Sequence, residues 1–97
     1  MRFAIILAPE AVSDLKALKA SLRATATAAL ETHLRHEPRK ASRSRIKRLR
    51  GLARPQYRLR VDDVRVFYDV TDEAVEVLAI VNKPEAESWL AQFASPG

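Results

Sequence analysis

Between Gln56 and Val81 the chain carries three successive runs of β-branched and aromatic residues: Gln56 to Val61, Val64 to Val70 and Ala74 to Val81. Such runs favour strands. Only Asp62-Asp63 and Thr71-Asp72-Glu73 separate them, so they are expected to fold as a meander. Two residues are what a tight hairpin takes, and Asp tolerates the positive φ that such turns impose. The third run, with Val75, Val77, Leu78, Ala79, Ile80 and Val81, is almost wholly apolar and is expected to lie centrally in the sheet.

The segment ahead of the meander reads as one strand and two helices. Residues 3 to 8 are apolar and stop at Pro9. That is too short for a secretory h-region and suits a buried first strand. Pro9 then fits N1 of a helix, with Glu10 favourably placed in the first turn. Val12, Leu15, Leu18 and Leu22 recur at three and four residues opposite Asp14, Lys16 and Lys19. After a break near Ser21 the period resumes through Ala26, Ala29, Leu30 and Leu34, which predicts an αα-hairpin closed by Pro38. Arg39 to Arg45 is polar, basic and aperiodic, and reads as a mobile loop. Arg45 to Arg50 is either a short irregular strand or a lead-in to the meander. Pro84 marks N1 of a last helix, Glu85 to Phe93, with Trp89, Leu90 and Phe93 on one side. The predicted order is β-α-α-β-β-β-α, an α+β domain over residues 1–97. No run approaches the roughly 20 apolar residues of a membrane span. The chain has no cysteine, which excludes disulfides, zinc ribbons and thiol nucleophiles and fits a cytoplasmic setting.

Charge is distributed unevenly. Arg35 to Arg65 holds twelve basic and three acidic residues, a net +9, while the rest holds five basic and nine acidic, a net −4. Screening limits scattered charges to about 8 Å, so a cluster of this size implies an anionic partner. Nucleic acid is the commonest, because neutralised phosphates release counterions. An acidic protein segment suits the same surface.

The run Ile46-Lys47-Arg48-Leu49-Arg50-Gly51, followed by Tyr57-Arg58-Leu59-Arg60-Val61-Asp62-Asp63-Val64-Arg65-Val66-Phe67-Tyr68, resembles the central signature of the RelE/ParE toxins. There a basic K-L-x-G lead-in precedes Y-R-x-R-x-G-D-x-R-x-x-Y. Ala8 to Leu18 resembles that family's first helix. The resemblance implies a microbial-ribonuclease-like fold, an antiparallel sheet with the αα-hairpin on one face and a concave basic surface on the other. RelE-like members cleave messenger RNA in the ribosomal A site without metal, and ParE-like members poison DNA gyrase. Both are held inactive by an antitoxin whose C-terminal segment wraps the toxin.

Alternation along Tyr57 to Val61 puts Arg58 and Arg60 on one face and Tyr57, Leu59 and Val61 on the other. Arg65, across the hairpin, would complete a three-arginine cradle whose forked donors match phosphate oxygens. Arg58, Arg60, Arg65 and Lys83 are thus the candidate catalytic residues. Arg45, Lys47, Arg48, Arg50 and Arg54 are candidate RNA contacts, with Trp89 as a base-stacking platform. The competing reading makes Arg58 and Arg60 a wet sheet face, pairs Arg65 with Asp62, Asp63 or Asp69, and makes Trp89 a core anchor.

RNA transesterification needs proton transfer, which arginine cannot provide at working pH. Here the chain departs from the family pattern. RelE-like toxins tend to place a basic residue and a Tyr just after the last strand, where this chain reads Asn82-Lys83-Pro84-Glu85-Ala86-Glu87-Ser88-Trp89. Lys83 stands in for the cation and Glu85 for a base. His33 and His36 lack a third partner for a metal; no metal or cofactor is expected. The expected function is a type II toxin, a metal-independent endoribonuclease acting on ribosome-bound messenger RNA beside ribosomal RNA and bound by an acidic antitoxin. The alternatives are a poison of DNA gyrase without chemistry of its own, or a decayed member that only binds antitoxin.

Overall fold

The computed structural model describes residues 1–97. It runs β1 (Ala4–Leu7), α1 (Pro9–Ala17), α2 (Ala20–Leu34), β2 (Ile46–Arg48), β3 (Leu52–Arg54), β4 (Tyr57–Val61), β5 (Val64–Val70), β6 (Ala74–Asn82), a 3-10 turn (Lys83–Glu85), α3 (Ala86–Phe93) and β7 (Ser95–Pro96). This is the predicted α+β order with three short strands added. Five strands form one sheet in the order β1-β6-β5-β4-β2, antiparallel except where β1 runs parallel to β6. Asp62 takes φ 50° and closes the two-residue hairpin as its side chain allows.

β6 is flanked on both sides, as its apolar run requires, whereas β1 is an edge. The expectation of a buried first strand therefore needs correction. Ile5 and Leu7 pack on the core, but Ile6 is 52% exposed on the other face, which the helical hairpin does not cover.

The helical hairpin covers one face of the sheet. Ala26, Leu30 and Leu34 of α2 join Leu59, Val66, Tyr68 and Val77 in a single core. The break between helices falls at Leu18-Lys19, both extended, ahead of the predicted Ser21. Arg23 explains the earlier stop. Its guanidinium donates to the carbonyls of Leu15, Lys16 and Leu18 at 3.3, 3.0 and 2.9 Å, the first of which also accepts from the Leu18 N–H, so the carbonyls at the end of α1 are satisfied.

The basic connection is pinned, contrary to its aperiodic sequence. The Tyr68 hydroxyl, at the sheet centre, donates to the Pro38 carbonyl at 2.7 Å. Arg39 donates to Thr71 O, and Ser42 Oγ accepts from the backbone N–H groups of Arg45 and Ile46. Past α3, β7 pairs with β3, and Gly97 N–H donates to Gly51 O. No helix is long and apolar enough to cross a membrane.

Candidate nucleic-acid cleft

The face of the sheet away from the helical hairpin is built by pairing register. Lys47, Arg58, Phe67 and Ala79 are successive cross-strand partners on β2, β4, β5 and β6. In the next row Arg60 faces Arg65, which faces Val81. Directly opposed residues hold their Cβ atoms about 5 Å apart, so four cations share one patch. The tight Asp62-Asp63 turn fixes this register, since a slip by one residue would turn every arginine to the opposite face.

Lys47, Leu49, Arg58, Arg65, Phe67, Lys83, Pro84, Glu87 and Leu90 surround a depression of about 560 Å³. Its apolar floor is fixed by stacking. The Trp89 ring lies parallel to Phe67 with centroids 4.9 Å apart, and Trp89 Nε1 donates to Glu10 Oε2 at 2.9 Å. This anchors α3 as the second wall of the cleft.

The two central arginines differ in how they are held. Arg65 is 6% exposed, and its Nη1 donates to the carbonyls of Asp62 at 2.9 Å and Val64 at 3.0 Å, so the hairpin turn orients its guanidinium. Arg58 has no such support; its Nε is buried and meets no acceptor. Burial, then the charges of Arg65 and Arg60, hold Arg58 below the ordinary arginine pKa. None of the three ion pairs in the protein, Glu31–Arg35, Glu37–Lys40 and Arg54–Asp69, involves a cleft cation. Buried positive charge without a counterion is costly to hold, and it marks a surface organised to receive an anion.

The sequence-predicted residues sort into two groups. Arg58, Arg60, Arg65, Lys47 and Lys83 share the cleft or its rim. Four others lie elsewhere, and Trp89 backs the cleft floor without lining it. Arg48 falls on the helix face of β2, over the Tyr57 ring, and donates to the carbonyls of Leu49 and Gln56. Arg54 pairs with Asp69 at 3.1 Å. Arg50 lies in the β2–β3 turn, along the outer edge of β2. Arg45 borders a separate hollow beside His33. Trp89 is half-buried behind the cleft and outside the main core, with one ring face taken by Phe67.

Glu85, suggested as a base, lines other depressions, whereas Glu87 is the one carboxylate lining the cleft. Sequence reasoning passed over Glu87. The signal was its place one helical turn past Lys83, which puts both residues on the same side of the chain as it enters α3. His33 and His36 do not converge. His36 Nδ1 lies 3.4 Å from Met1 O, and His33 faces the hollow beside Arg45.

The fold is that of several solved toxin–antitoxin complexes. Against the archaeal RelE–RelB complex from Pyrococcus horikoshii OT3 the TM-score is 0.70 at 22% identity, covering 86% of this chain and 97% of that one. The RelB–RelE complex from Methanococcus jannaschii gives 0.67 at 18% identity, covering 87% and 96%. The E. coli DinJ–YafQ complex gives 0.64 at 17%, covering 90% and 97%. No curated protein matches the chain in sequence. The family described as ParE toxin of type II toxin–antitoxin system, parDE, matches residues 5–86, from β1 through the cleft to the start of α3. That match spans most of the chain, and the protein accordingly belongs to this toxin family, within the RelE/ParE superfamily.

Proposed function

We propose that the protein is a toxin that cleaves RNA in the Arg58–Arg65 cleft and is neutralised by a cognate antitoxin. The observation that carries this reading is the convergence of unpaired guanidinium groups from adjacent strands on one apolar-floored hollow. In the reaction, the 2′-oxygen of one nucleotide attacks the adjacent phosphorus and the bond to the 5′-oxygen breaks. The products are a 2′,3′-cyclic phosphate and a 5′-hydroxyl. Arg58 and Arg65 bind the non-bridging oxygens, whose charge grows in the pentacovalent transition state. Glu87 takes the 2′-hydroxyl proton, and the Lys83 ammonium supplies one to the departing oxygen. Lys47 and Arg60 hold flanking phosphates at the rim. The substrate we favour is messenger RNA on the ribosome, with ribosomal RNA as a neighbouring contact.

The antitoxin proposal rests on the solved relatives, which are complexes with RelB or DinJ partners, and on the charge of this face. An acidic segment laid over the cleft would gain electrostatically while blocking it. A second reading has one observation in its favour: the matched family is the ParE toxins, and the chain would then inhibit DNA gyrase by binding alone. Purified protein incubated with messenger RNA on ribosomes and, separately, with gyrase and relaxed plasmid distinguishes the two. Cleavage with cyclic-phosphate ends supports the nuclease; blocked supercoiling with intact RNA overturns it.

A further inference from the structure

The basic connection ahead of β2 builds a second polar hollow, of about 400 Å³, on the other side of the sheet edge. We propose that this hollow, lined by Thr32, His33, Lys40, Ser44 and Arg45, binds a backbone phosphodiester of the nucleic-acid strand that enters the cleft. The proposal rests on the cleft being a nucleic-acid site and adds a second contact to it.

Three features support a built anion site. Arg45 is held by its backbone, with its carbonyl accepting from Arg60 N–H at 2.8 Å and its N–H bonded to Ser42 Oγ at 3.2 Å. Its guanidinium has no ion-pair or hydrogen-bond partner in the protein, so it is positioned but uncommitted. Lys40 meets Glu37 at 3.4 Å, with both side chains largely exposed; such a pair is weak and yields readily to a better anion. Burial and then the Arg45 charge hold the His33 imidazole below its ordinary range. A phosphate between His33 and Arg45 would relieve that repulsion and gain a charge-assisted bond from each.

The lining chemistry favours phosphate over an acidic protein segment. Of the eight residues around the hollow only Ile46 is hydrophobic. Protein interfaces gather around an apolar centre, which this hollow lacks. Hydroxyl, imidazole and guanidinium donors suit phosphate oxygens directly. β2 also links the two sites: it is the sheet edge, Arg45 leads into it, and two residues on Lys47 lines the cleft. A strand folded over that edge meets both.

The chain has two histidines, so the His33 ring is readily followed by NMR, with His36 as an internal control. Full-length protein is titrated with inorganic phosphate, and separately with a DNA oligonucleotide that lacks the reactive 2′-hydroxyl. Both are expected to shift the His33 resonances and raise its pKa, with the facing cations Arg45 and Lys40 opposing protonation and Glu37 favouring it, the oligonucleotide at much lower concentration. Arg45→Ala should abolish these shifts, weaken oligonucleotide binding about tenfold and lower the salt slope by about 1. Arg58→Ala should leave the response to phosphate intact.

Oligonucleotide binding with His33 unmoved and Arg45→Ala unchanged overturns the proposal. A response to phosphate but never to the oligonucleotide also overturns it, leaving a site for free oxyanions. A response to an acidic peptide alone assigns the hollow to a protein partner. Uncut RNA with the His33 response preserved overturns the nuclease reading and leaves this site standing.

Discussion

Arg60 and Arg65 stand directly opposite one another across the β4–β5 hairpin, like charges in a position where sheets ordinarily place opposite ones. Arg58, two residues along β4, feels both. A cross-strand pair of this kind is destabilising unless an anion offsets it, and neither arginine forms an ion pair within the protein.

Arg58→Ala separates function from stability. Loss of one donor to a transition-state oxyanion costs about 10²–10³ in rate. The same change removes a buried, unsatisfied Nε and the repulsion by Arg65 and Arg60. Single-turnover cleavage should fall by that factor, while the denaturation midpoint stays level or rises. A variant that loses activity by unfolding contradicts this.

Glu87→Gln keeps the shape of the cleft and removes its carboxylate. Cleavage should drop about 10²–10⁴-fold, the range of general-base contributions. RNA affinity should hold or improve, because the change removes a negative charge from beside the bound phosphate. Wild-type rates in this variant would return the proton acceptor to an unknown group.

Two hydrogen bonds, one buried and one half-buried, predict stability losses away from the cleft. Tyr68→Phe strands the Pro38 carbonyl, and Asp14→Ala strands the Ile80 N–H, which now donates to Asp14 Oδ2 at 2.9 Å. Each should cost about 1–3 kcal/mol, read by chemical denaturation. Asp14→Asn, which keeps an acceptor, should cost less.

His33 predicts the direction of a pH effect. Its imidazole sits below its ordinary value of 6.5, through burial first and Arg45 second. Below that value the folded protein therefore binds fewer protons than the unfolded chain. The stability this represents is complete above about pH 6.5 and is lost as pH falls through the lowered value. His33→Gln should flatten the denaturation midpoint against pH over that window. The raised carboxyl pKa values of Asp14 and Asp69 act in the opposite sense at lower pH, just above 3.8, and should persist in the variant.

The meander and the shared face of Arg58, Arg60 and Arg65 were legible because strand alternation and a two-residue turn leave few choices. The same alternation, carried one strand back, would have placed Arg48 with Tyr57 and away from Arg58. That inference was out of reach because the register of β2 against β4 depends on a long connection, pinned by Ser42 and Pro38 through contacts invisible in sequence. Arg54 looked like another free cation until the fold brought Asp69, fifteen residues on, against it. Glu87 was within reach through its spacing from Lys83, one helical turn back, but a base was sought at Glu85, which does not line the cleft. Pairings between neighbouring elements could be read; side-chain meetings that depend on tertiary packing could not.

The central claim is tested most directly by mapping messenger RNA ends after induced expression of the wild type and of Arg58→Ala, with gyrase activity measured in the same cells. New 5′-hydroxyl ends matched by cyclic phosphates are expected in the wild type, none in the variant, and normal supercoiling in both. An identical cleavage map from Arg58→Ala, or inhibited gyrase with uncut messenger RNA, would contradict it.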